Sequence, residues 1–201
     1  MNNQLLKLIV VFLFVTVCAN AQEKKIPAAK SSKAKLVTVY DGKVPLNIFL
    51  MDGYLAEIGI ASEKNSKVKS LDSSAKAVHN LGFAQVFRVA DPNLINGGKI
   101  SAKASNAGKF SAVYSRTGDE SSFIIPTGFI VTYKTGVNEK QIAETEIKYA
   151  LKKGNKLIEN MNLYSYEVEA GQPCLELAST IRSESIVETT SVDFIEERAT
   201  R

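Results

Sequence analysis

The chain has 201 residues, 45% of them hydrophobic and 23% charged, with 25 Lys plus Arg against 21 Asp plus Glu. That composition excludes wholesale disorder, collagen-like repeats and a multi-span membrane protein, and the small basic excess, with no basic stripe interleaved with aromatics, gives no nucleic-acid partner. Two cysteines (Cys18 and Cys174) and one histidine (His79) exclude a disulfide scaffold, a four-cysteine zinc site and a multi-histidine centre, so no metal and no cofactor is expected.

Residues 1–21 read as a signal peptide. Lys7 supplies the positive charge, an apolar run follows over 8–17, and Ala19-Asn20-Ala21 before Gln22 is a small-x-small cleavage site. A membrane span needs ~20 apolar residues, and this run is about half that. The expected location is secreted, periplasmic or extracellular, with no membrane attachment once the signal is removed. Cleavage takes Cys18 with it. Cys174 then stands alone and reads as a buried small hydrophobe rather than a nucleophile. Residues 22–35 are Lys-rich with little to bury, and read as a flexible leader.

A β-rich N-terminal domain is expected over 36–122. Strands are expected over 36–40, 44–50 and 54–60, with turns at Asp41-Gly42 and Asp52-Gly53. A short helix is expected over 72–81, with Asp72 as its N-cap and His79 on its surface. Further β-type runs are 83–90, 99–105 and 109–114. Val39-Tyr40 and Val113-Tyr114 each open a similar pattern: a Gly turn, an apolar run containing Pro, then a Gly-aromatic-apolar step. It reads equally as an internal repeat and as the likeness of any two hairpins.

The pattern is clearer over 123–194. A β-branched strand covers 129–133. Asn138, with Gln141 at the capping-box position, opens a helix whose apolar face is Ile142, Ala143, Ile147, Ala150 and Leu151. Strands over 156–160 and 163–169 follow. Pro173 starts a second helix with Cys174, Leu177, Ala178 and Ile181 on one face, and 186–194 is a last strand. This order, β-α-β-β-α-β, predicts an α+β protein with a C-terminal ferredoxin-like domain and an extended tail over 195–201. Neither Glu144/Glu146, two apart on a helix, nor Glu196/Glu197, adjacent on an extended chain, converges on a substrate, and no constellation has catalytic spacing, so the chain does not read as an enzyme.

The segments Pro126-Thr127-Gly128-Phe129-Ile130-Val131-Thr132-Tyr133-Lys134-Thr135-Gly136-Val137, Leu175-Glu176-Leu177-Ala178, Ser183-Glu184-Ser185-Ile186-Val187-Glu188 and Val192-Asp193-Phe194 lie in an order and spacing that resembles a known family. It is the N-terminal prodomain of subtilisin-like serine proteases, the peptidase inhibitor I9 type. The resemblance covers 125–194, and 36–114 more weakly resembles the β-rich part preceding such prodomains in longer secreted bacterial proteases. It implies that the outer sheet face packs on two helices of the protease, and that Ile195, Glu196, Glu197, Arg198, Ala199, Thr200 and Arg201 enter its substrate cleft as a product-like strand. It also implies that Asp193 meets a helix N-terminus there, while Ser191 stands where a second acid is usual. The catalytic Asp, His and Ser motifs of such proteases are missing. The expected function is therefore a secreted inhibitor or folding assistant of a subtilisin-like protease, or a prodomain without its enzyme. The alternative is a secreted structural or surface-associated binding module with no protease partner.

Overall fold

A computed structural model describes residues 35–60 and 63–197. The cleavage residues Ala19, Ala21 and Gln22, the leader up to residue 34 and the end of the tail, Arg198, Ala199, Thr200 and Arg201, lie outside the described residues. The described chain is α+β, and the described residues belong to one compact unit.

In chain order the strands are β1 (Lys35–Gly42), β2 (Val44–Ile58), β3 (Lys76–Asn80), β4 (Ala84–Arg88), β5 (Ile95–Asn96), β6 (Lys99–Ile100), β7 (Phe110–Ser115), β8 (Phe123–Tyr133), β9 (Asn155–Ile158), β10 (Leu163–Glu167) and β11 (Val187–Glu196). The helices are α1 (Val68–Leu71), α2 (Ala102–Ala107), α3 (Glu139–Lys148) and α4 (Gln172–Arg182). Nine strands form one antiparallel sheet in the order β3-β4-β2-β1-β11-β8-β10-β9, with β7 pairing both β2 and β8. The pairings β1–β2, β2–β7, β7–β8, β8–β11 and β11–β1 therefore close a ring. The boundary expected at 122/123 falls at the start of β8, and this ring joins the regions on its two sides.

In the C-terminal region, alternation decides the faces. Phe129 lies opposite Tyr166 and Val192, and Val131 opposite Tyr164 and Thr190. These residues point to one side, where Ile142 of α3 and Cys174, Ala178 and Ile181 of α4 join them in one core. Burying a side chain such as Phe129 is worth roughly 1.5–3 kcal/mol. Helix α3 starts where expected: the Asn138 side chain accepts from Gln141 N and the Gln141 side chain accepts from Asn138 N. It ends earlier. Ala150 adopts a left-handed φ of 52°, so Ala150 and Leu151 lie past the helix, and Ile147, assigned to the apolar face, is 80% exposed. The Glu146 carboxylate closes this end, accepting from Gly154 N (2.9 Å) and from the Tyr166 hydroxyl (3.1 Å), which also bonds Tyr133 (2.9 Å).

The N-terminal region departs further from expectation. Asp52-Gly53 is not a turn: β2 runs straight through it, changing partners from β1 to β4 with a register shift against β7 between Leu50 and Leu55. Gly53, at φ +81°, absorbs the irregularity, and its carbonyl accepts from Val89 N. The helix expected over 72–81 is absent. Asp72 ends α1 instead of opening a helix, and 76–80 pair with β4 as β3. Asp72 accepts from the Ser74 hydroxyl (2.6 Å) and from Ala90 N (2.7 Å), tying this stretch to the loop after β4. Those bonds, the Ser74 hydroxyl first, hold its carboxyl down at about 2. The run 99–105 is likewise split between β6 and α2, because the Ser101 side chain accepts from Ala104 N and starts a helix.

Candidate functional site

The sheet face opposite the helices is built by the alternate residues. Thr132 lies opposite Leu163 and Thr189, and Ile130 opposite Ser165 and Ser191. All six are partly exposed, and most are small. The last row is Glu167, Gly128 and Asp193. A side chain at position 128 would come within 2.6 Å of the Tyr166 carbonyl oxygen, so the two carboxylates flank a bare backbone. Cys174 Sγ donates to the Gly128 carbonyl from the other side (3.2 Å). Burial, with the Asp193 charge second, pushes that thiol up to about 12, which keeps it unreactive at neutral pH.

The acidic row forms part of a cleft of about 730 Å3. Glu169, Val168 and Ala170 continue along one side, while Ile58, Phe83, Lys109 and Phe110 of the N-terminal region form the other. Phe83 at its rim is 65% exposed. Three carboxylates against one lysine, with apolar walls, make this a place for a partner that is apolar and carries positive charge or free N–H groups. Burial raises the Asp193 carboxyl above the ordinary range. The sequence reading placed Asp193 correctly on the last strand but missed the cleft, whose second wall comes from the end of β2, the turn before β4 and the start of β7. A large aromatic directly after Gly82 was the only local hint.

The other residues singled out from the sequence lie elsewhere. Ser191 accepts from Gly42 N (2.7 Å) and so helps join β11 to β1. Ile195 and Glu196 are not in a tail: they extend β11, opposite Ile125 and Ile124 of β8. Glu196 accepts from Arg116 (2.9 Å), whose guanidinium also covers Phe194, and Glu197 pairs with His79 Nε2 (3.1 Å). His79 is thus a β3 residue at a strand-end contact, not a helix-surface residue. Each exposed pair contributes only about 0.2–1 kcal/mol, but together they hold 195–197 against the sheet.

Among the described residues no helix is long and apolar enough to cross a membrane, and no group of three or more His, Cys, Asp or Glu could hold a metal. Comparison with known proteins finds no matching family model, no matching curated protein and no matching solved structure.

Proposed function

We propose that the chain is a secreted binding module for a subtilisin-like serine protease, acting as inhibitor or folding assistant, and that β8 to β11 with α3 and α4 is a ferredoxin-like βαββαβ unit. One observation carries the reading. The antiparallel order β11-β8-β10-β9, with both helices in one core, leaves the opposite face lined by Ile130, Thr132, Leu163, Ser165 and Ser191 without a covering layer from those helices. Small side chains let a helix surface approach closely, and the Glu167/Asp193 row offers carboxylates to its free N–H groups. The contact is redistributed relative to the sequence expectation: because 195–197 are held on the sheet, the face does most of the binding, and of the residues expected in the tail Arg198, Ala199, Thr200 and Arg201 would enter a substrate cleft.

The test is inhibition of a panel of bacterial subtilases by the full chain. Micromolar or tighter inhibition is expected, with Ile130→Glu weakening it at least tenfold at unchanged thermal midpoint and deletion of 198–201 weakening it less. Lack of inhibition across the panel at micromolar concentration overturns the reading. The second reading, a surface-associated binding module with no protease partner, is favoured by the cleft, which is built jointly with the N-terminal region. Recovery of cell-wall or polysaccharide partners from culture supernatant, without a protease, selects it.

A further inference from the structure

Strand β1 pairs with β2 from Lys35 to Asp41 but with β11 only at Asp41 and Gly42. Among the described residues, no strand lies beside its second edge along 35–40. A groove of about 640 Å3 lies there, between β1 and α4. Four consecutive residues, Lys35 to Thr38, line it, so residues from both faces of the strand reach it and it follows the strand's edge. Leu175, Glu176 and Ser179 of α4 form the opposite wall.

Two polar groups at this groove have no hydrogen-bond partner among the described residues, and of these the Gln172 oxygen is buried from solvent. Gln172 Oε1 is buried and has no hydrogen-bond partner among the described residues, while its Nε2 is committed to Glu176 (2.5 Å). The Tyr114 side chain is 2% exposed, and its hydroxyl makes no hydrogen bond among the described residues. Both groups close around Gly98, where a β-carbon would lie 2.8 Å from Gln172 Oε1 and 3.4 Å from the Tyr114 oxygen. Burial keeps the tyrosine protonated, so it offers a donor. Gln172 Oε1 can only accept. A neighbouring donor and acceptor are the complement of an amide, which presents one C=O and one N–H. Leaving the buried Gln172 oxygen unpaired is costly, and a ligand amide N–H would remove that cost.

We infer that the groove between β1 and α4 binds an extended peptide segment, which adds a strand to the free edge of β1 and places one amide between Gln172 Oε1 and the Tyr114 hydroxyl. Strand addition supplies affinity through the main chain, and the amide position supplies selection. The groove is separate from the uncovered sheet face and the acidic cleft, so the two proposals fail independently.

The test is panning of phage-displayed random heptapeptides on the full chain, with counter-selection on the Tyr114→Phe/Gln172→Met double variant. Peptides preferring the unaltered chain at least fivefold are expected. Bound to the 15N-labelled chain, they should shift the amide signals of Leu36, Val37 and Thr38 and the side-chain amide of Gln172. Copies N-methylated along the backbone should bind at least tenfold more weakly. Should the double variant not fold, Tyr114→Phe alone serves for counter-selection. The inference is overturned if no peptide discriminates, if N-methylation has no effect, or if the shifts map to the acidic cleft.

Discussion

The two halves of the sheet obey different rules. In β8, β10 and β11 one face meets the helices and the other stays open, so buried and partly exposed residues alternate: Phe129, Val131 and Tyr133 against Ile130 and Thr132. In β4 and β7 both faces are covered. Ala84, Gln85, Val86 and Phe87 are all buried, as is every residue from Phe110 to Ser115. A strand with a free face records its orientation in a period of two, while a strand covered on both sides does not. The comparison separates what periodicity can deliver from what needs the neighbours.

The largest effects test whether the two halves are one unit. Phe129→Ala and Phe87→Ala each remove a fully buried ring and should cost about 3–5 kcal/mol in denaturant unfolding. Because the ring of pairings links the halves, either substitution should lower amide-exchange protection in both together. Loss confined to the mutated half would break the picture of a shared sheet. Asp72→Asn comes next, with about 2 kcal/mol lost at neutral pH. The sign follows from its depressed carboxyl: the stabilisation is present above the unfolded value near 4 and disappears as pH falls through about 2, so the variant and the parent should converge in acid unfolding. Asn138→Ala removes the capping box of α3 and should cost about 1 kcal/mol. Smallest is Ile147→Ser, expected within about 0.5 kcal/mol by thermal melting, since that side chain faces solvent.

The same contrast explains what could be read from the sequence. Caps and periodicity are local, so Asn138, Gln141, Pro173 and the face Cys174–Ala178–Ile181 were legible, and Asp193 fell on the strand where it was expected. The stretch 76–80 was not. Asp72 suits a helix N-cap and Lys76-Ala77 suit a helix by propensity, and pairing with β4 overrides that preference. The tail misled for a similar reason: nothing near Ile195 announces Ile125 as its neighbour, and Glu197 finds His79 far back in the sequence. Even the likeness between Val39-Tyr40 and Val113-Tyr114 becomes plain in three dimensions, since each leads through a turn into one of the two longest strands, β2 and β8.

The closed circuit of strands has a consequence for how the molecule comes into being. Its seam joins β1, the first described strand, to β11, the last. While the polypeptide is still being made, β1 has only one of its two neighbours, and the seam cannot form until β11 has been synthesised. Contacts this distant along the chain make folding slow, and a nascent chain paused before β11 presents raw strand edges to its surroundings.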